Sequence, residues 1–193
     1  FPRGIGSRFV GLLAMPVEAL RTIGIDPGSR VTGIGVVEAR GQSLHYIHSE
    51  CVRTGTGSLG SRLVQIHQRI REVISRFEPV SGAIEKVFVS ANPQSALVLG
   101  QARGSALLAL AESGLEISEY SALEVKRAVT GTGRADKEQV QHMVRALLGM
   151  DRKPPQDAAD ALACAICHLH YAEVRQRQTV AQSADQIEKS KGL

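Results

Sequence analysis

An apolar run that stops at an acid constrains this chain more than any other feature. Thr22-Ile-Gly-Ile25 leads into Asp26, a Pro27-Gly28 turn follows, and Thr32-Gly-Ile-Gly-Val-Val37 begins a second apolar run. Two such runs joined by a short turn predict a β-hairpin whose first strand carries Asp26 to the end of a sheet. Proline presets φ for the turn, and glycine tolerates its left-handed corner. Gly24, Gly33 and Gly35 fall inside the strands, where glycine marks places that a helix or a ligand approaches closely. A carboxylate beside so bare a surface can receive a metal or a phosphate. Asp-Pro-Gly also begins ordinary turns, so this stretch alone leaves structure and function in balance.

The chain beyond it reads as further strands and helices. Ser43 to Arg53 alternates imperfectly and predicts a third strand, wet on one face. Leu63, Ile66, Ile70, Val73, Ile74 and Phe77 form the apolar stripe of a helix over about 59–77, closed by Pro79. Val80 to Val89 predicts a strand with Glu85 in its middle, and an acid inside a buried strand is costly unless paired or metal-bound. Asn92-Pro93 opens a helix rich in small residues (Ala96, Gly100, Ala102, Gly104), suited to packing on the sheet or on a twin helix in a dimer. Leu115 to Tyr120 is a short strand. Ser121 with Glu124 then makes a capping box, and Asp136 with Gln139 caps the following helix. Pro154-Pro155 suits the start of a last helix. Spacings of 3, 4 and 3 place Asp157, Asp160, Cys164 and Cys167 on one stripe of it.

Three familiar signatures point elsewhere and fail. Gly55-Thr-Gly-Ser-Leu-Gly60 has dinucleotide-loop spacing, but the strand before it is half polar and Glu78 precedes the next strand, so a loop is expected. Gly131-Thr-Gly-Arg-Ala-Asp-Lys137-Glu138 lacks both the glycine before the lysine and the hydroxyl after it that a P-loop needs. Cys164-Ala-Ile-Cys167-His168 has the spacing of a haem attachment, yet it lies within an apolar helix. Buried thiols acting as small hydrophobes fit better there than haem or zinc.

A length of 193 residues suits one domain with an ample core. A net charge of +4 permits a nucleic-acid partner without requiring one, and aromatics at 4% leave few side chains for base stacking. Three cysteines make no even disulfide framework, which predicts a reducing, cytoplasmic compartment. No apolar stretch approaches the roughly eighteen residues that span a membrane. Met15 makes a natural start. Residues 1–20 are therefore expected as a disordered extension, 21–174 as the folded domain and 175–193 as a disordered polar tail.

The four acids Asp26, Glu85, Asp157 and Asp160 decide the functional reading. If they converge, each pair at ~5 Å and an effective dielectric of 20 repels by about 3 kcal/mol. Six pairs give on the order of 20 kcal/mol, more than a domain's usual net stability. Such a cluster survives only if acids protonate or divalent cations bind, and all-carboxylate ligation selects magnesium or manganese. Two ions ~4 Å apart would clamp the attacking and leaving oxygens of a phosphodiester. If they do not converge, Asp157 simply caps its helix and Asp160 makes one local bond.

The blocks Gly24-Ile-Asp26-Pro-Gly-Ser-Arg30, Ala83-Ile-Glu85-Lys-Val-Phe88, Ser95 to Gly104, Gln139 to Arg145 and Asp157-Ala-Ala-Asp160 occur together, in order, over residues 21–170. In them the chain resembles the RuvC-type Holliday junction resolvases. The resemblance implies an α/β, ribonuclease H-like fold: a mixed five-stranded sheet flanked by helices. It further implies a homodimeric endonuclease that nicks two opposed strands of four-way junction DNA, leaving 5′-phosphate and 3′-hydroxyl ends. Asp26, Glu85, Asp157 and Asp160 would ligate two Mg²⁺ per subunit, with Mn²⁺ able to substitute. Phe88 matches an aromatic that acts near the junction centre, and Lys126 and Lys137 match basic residues that hold phosphates or support catalysis. RuvA and RuvB, the branch-migration proteins, are the further partners it suggests. Lys86 departs from the family pattern, where glutamine is common, and the first twenty residues match nothing in it. Two rivals remain. An actin-like ATPase shares Gly-x-Asp-x-Gly, but no second phosphate loop is present. A junction-binding module without cutting activity would not need all four acids.

Overall fold

The computed structural model describes residues 19–87 and 92–191, with side chains in the last helix described as far as residue 175. The Asp-Pro-Gly turn does fold back as a hairpin. Strand β1 (Leu20–Asp26) pairs antiparallel with β2 (Val31–Arg40), which pairs antiparallel with β3 (Ser43–Arg53). Helix α1 (Leu59–Phe77) follows, and β4 (Ser81–Glu85) then returns parallel to β1. After α2 (Pro93–Glu112), β5 (Glu116–Tyr120) extends the parallel half, so the mixed five-stranded sheet runs β3-β2-β1-β4-β5. Helices α3 (Ala122–Thr130), α4 (Lys137–Leu147) and α5 (Gln156–Lys191) complete the chain.

Local chemistry sets most of the boundaries. The Ser58 hydroxyl caps α1, so the glycine-rich stretch 55–60 is a turn and a helix start. Asn92 caps α2, and the two capping boxes, Ser121 with Glu124 and Asp136 with Gln139, open α3 and α4 as expected. Gly131 takes the left-handed conformation that ends α3. The carbonyl of Pro155 accepts the first bond of α5, from the Ala159 N–H at 2.9 Å.

Two expectations are revised. Strand β4 stops at Glu85, with Lys86 and Val87 already outside it, because β1 ends at Asp26 and β5 at Tyr120; the expected end at Val89 lies outside the described residues. Glu85 is thus a strand terminus and not a strand centre. At the other end of the chain α5 shows no break at residue 174 and stays helical to Lys191, since no proline or glycine interrupts 156–191. The expected extension over 1–20 falls almost wholly outside the described residues.

Alternation splits the core into two layers. Ile23, Ile25, Ile34, Val36 and Ile84 face α1 and α2 across one apolar cluster. Val37 and Ala83 face α3, α4 and α5 across the other. Cys164 and Cys167 are buried among α5's neighbours in that second layer, as small hydrophobes should be.

Candidate active site

Register places the first two acids side by side. Ile25 pairs with Ile84 in the parallel ladder, so Asp26 and Glu85 come one step later on adjacent strands, about 4.8 Å apart. Because Ile25 and Ile84 face α1 and α2, the pleat turns Asp26 and Glu85 to the opposite face, where α5 lies.

The glycines explain how α5 comes so close. A Cβ built on Gly33 would stand 1.9 Å from the carbonyl oxygen of Asp157; on Gly24, 2.1 Å from that of Ala161; on Gly35, 2.7 Å from the Leu162 nitrogen. The helix therefore rests backbone-on-backbone across β1 and β2, with alanines on its own side. That contact carries Asp157, in the first turn of α5, and Asp160, one turn further, to the strand ends.

Their mutual effect is visible in the titration of the acids. Burial, followed by the charges of Glu85, Asp160 and Asp157, pushes Asp26 up to about 8. Burial first and Asp160 next raise Glu85; burial, with help from Asp157, raises Asp160. Lys137 lowers all three, and Lys126 lowers Glu85 and Asp160. Asp26, Glu85, Asp160, Lys126 and Lys137 line one cavity of about 220 Å³, floored by Ala122, Val125 and Val140. Asp157 acts on this group through its charge without lining the cavity.

The four acids and both lysines singled out in the sequence are thus gathered; Phe88 lies outside the described residues. All-oxygen donors and mutually raised pKa values fit a hard divalent cation. Among the described residues, no three His, Cys, Asp or Glu side chains are already disposed to hold one ion.

Some contributors carried no signal in the sequence. The Thr32 hydroxyl donates to the Gly28 carbonyl at 2.7 Å, the Thr54 hydroxyl to the Ser29 carbonyl at 3.0 Å, and Arg62 Nη1 to the same Ser29 oxygen at 3.1 Å. These bonds fix the turn that follows Asp26. Arg103 reaches the backbone of Glu85 in a comparable way. Each joins residues 4 to 33 positions apart, which neither spacing nor composition reveals.

An open mixed sheet with acids at the ends of two adjacent strands, and two more on the helix crossing them, defines a ribonuclease H-like fold with a nuclease-type acidic site. The comparisons with known proteins agree. The family model described as crossover junction endodeoxyribonuclease RuvC matches residues 22–168. Among curated relatives of that name, the Pseudomonas fluorescens (Pf-5) protein is 57% identical over 148 residues, 77% of this chain and 85% of the relative. The Azoarcus protein is 51% identical over 154 residues, 80% of this chain and 84% of the relative. The solved structure of Thermus thermophilus RuvC in complex with Holliday junction substrate is similar at TM-score 0.76 and 38% identity, covering 80% of this chain and 96% of that one. This chain belongs to the RuvC family of crossover junction endodeoxyribonucleases. No helix among the described residues is long and apolar enough to cross a membrane.

Proposed function

We propose that the protein is a structure-selective endonuclease that resolves four-way DNA junctions in recombination and repair by paired nicks. One observation carries this reading: acids from two strands and a crossing helix meet two lysines around a single small cavity. Asp26, Glu85, Asp157 and Asp160 would hold Mg²⁺, two ions per subunit, with Mn²⁺ as a substitute. Bound there, the ions would supply Lewis-acid activation of water and neutralisation of phosphodiester charge. Lys126, on α3, and Lys137, at the start of α4, would hold the phosphates flanking the scissile bond. In-line attack leaves a 5′-phosphate and a 3′-hydroxyl. Phe88 keeps its proposed stacking role at the junction centre by family likeness alone, as do RuvA and RuvB as partners.

Paired nicks need two sites, and the outer face of α1 and α2 supports a homodimer. Its groove of about 510 Å³ is lined by Leu63, Val64, Gly104 and Leu108. Val64 and Leu108 are each 52% exposed and Leu97 58%. Gly100 and Gly104 leave open space on α2, so a twin helix can approach closely. The free thiols of Cys51, Cys164 and Cys167 support action in the reducing cytoplasm.

Incubating labelled four-way junction and linear duplex with and without Mg²⁺ tests the whole reading. Symmetric nicks on the junction, dependent on the ion, are expected. Tight junction binding with no cuts at any ion concentration would replace it by a binding module, and ATP turnover without nicking by an ATPase.

A further inference from the structure

The backbone carbonyl of Glu85 stands where the sheet has no donor left for it. Extending the Ile25–Ile84 pair by one residue sets Asp26 opposite Glu85. The Lys86 N–H bonds to the Tyr120 carbonyl of β5 at 2.7 Å. Successive residues of a strand turn their backbone groups to alternate sides, so Glu85 directs its own carbonyl toward β1. A parallel ladder would satisfy it from the amide of the residue after Asp26. That residue is Pro27, which has no N–H. The turn that delivers Asp26 thereby orphans the neighbouring acid's backbone.

Arg103 of α2 fills the gap. Its Nε donates to the Glu85 carbonyl at 3.2 Å, and its Nη2 donates to the Glu119 carboxylate. Glu119 pairs with Ile84 and so sits on the same face of the sheet. The Arg103 side chain is only 17% exposed. A planar guanidinium can span a carbonyl and a carboxylate together, which a single ammonium does poorly.

We infer that Arg103 is a positioning residue for Glu85. By replacing the missing ladder bond it fixes the strand end, and with it the direction in which the carboxylate enters the cavity. On the β5 side the same strand end is held by the Lys86 N–H on the Tyr120 carbonyl, so Arg103 completes its restraint on the side of β1. The inference rests on the proposed ion-holding role of Glu85. Were Arg103 only a tie between α2 and the sheet, its loss would lower stability and leave ion binding alone.

The test measures Mn²⁺ binding to the full chain by the loss of the free-ion paramagnetic signal, alongside Tm and junction affinity in EDTA. Wild type is compared with Arg103→Met, Arg103→Lys and Glu119→Gln. Arg103→Met is expected to weaken Mn²⁺ binding about ten- to a hundredfold, the usual scale for residues that orient ligands. Junction affinity in EDTA, set by phosphate contacts elsewhere, stays within about twofold of wild type. Arg103→Lys recovers part of the loss, and Glu119→Gln, which keeps an acceptor for the guanidinium, loses least. Nicking by Arg103→Met recovers as Mn²⁺ is raised. Should Arg103→Met not fold, the Lys and Gln variants decide: Mn²⁺ affinity equal to wild type in both overturns the inference. Wild-type binding with Arg103→Met unchanged overturns it alone, whereas no binding by wild type overturns it together with the reading of the four acids.

Discussion

Where β1 and β2 run side by side, one face is thick with aliphatic side chains and the other is nearly bare, although the same strands make both. Toward α1 and α2, β1 and β2 present Ile23, Ile25, Ile34 and Val36, all fully buried against Ile66, Ile70 and Val73. Each fully buried aliphatic side chain of this kind contributes about 1.5–3 kcal/mol. Toward α5 the same strands present Gly24, Gly33 and Gly35, and the helix answers with its own backbone at Asp157, Ala158, Ala161, Leu162 and Ala165. Less apolar area is removed from water per residue there, but the distance between backbones is set with little slack. Under β1 and β2 themselves the large side chains lie on the first face and the tightest backbone spacing on the second, and all four acids belong to the second.

Four experiments press on that division, from the largest expected effect downward. Asp26→Asn should lower junction nicking roughly a hundred- to a thousandfold, the scale of losing a key charge-stabilising group, while the melting temperature holds or rises; a folded variant that still nicks at the wild-type rate removes Asp26 from the site. Ile25→Ala, on the thick face, should cost about 2–5 kcal/mol in denaturant unfolding with the nicking rate of the folded protein little changed. Gly24→Ala should cost about 1–3 kcal/mol or more by overpacking, and depress nicking far more than Ile25→Ala, because the new Cβ would stand 2.1 Å from the Ala161 carbonyl oxygen and α5 must lift. Equal activity in the two variants would erase the contrast between the faces.

The smallest effect is one of pH. Asp26 binds its proton more tightly folded, at about 8, than unfolded, at its ordinary 3.8. Its contribution to stability therefore falls as pH rises between those values and levels off above the upper one. Glu85 and Asp160, also raised, act with the same sign. Without divalent ions the Tm should drop from pH 5 to pH 8.5; Asp26→Asn should flatten the slope, and Mg²⁺ should restore stability at the alkaline end. A wild-type Tm indifferent to pH would speak against the crowded acids.

The sequence already contained the parts of this fold that depend on neighbours along the chain. The two capping boxes, the Pro27-Gly28 turn and the stripe of Asp157 and Asp160 are local patterns, and each appears where spacing placed it. The glycines also announced a close approach, and α5 is what approaches. The length of β4 was hidden, because a strand ends where its ladder partners end, and those partners lie 59 residues away in β1 and 35 in β5. Arg103 was hidden for the same reason: only the register shows that Pro27 denies Glu85 a bond.

The backbone contact between α5 and the sheet has a mechanical consequence. Asp157 and Asp160 ride on one stiff rod, while Asp26 and Glu85 are anchored in one stiff plate, so the four acids amount to two rigid jaws. With glycine against the helix backbone, and only the Leu162 side chain beside Gly35, there is little cushion of side chains to absorb a shift. Any tilt of the rod opens or shuts all the gaps between the jaws at once.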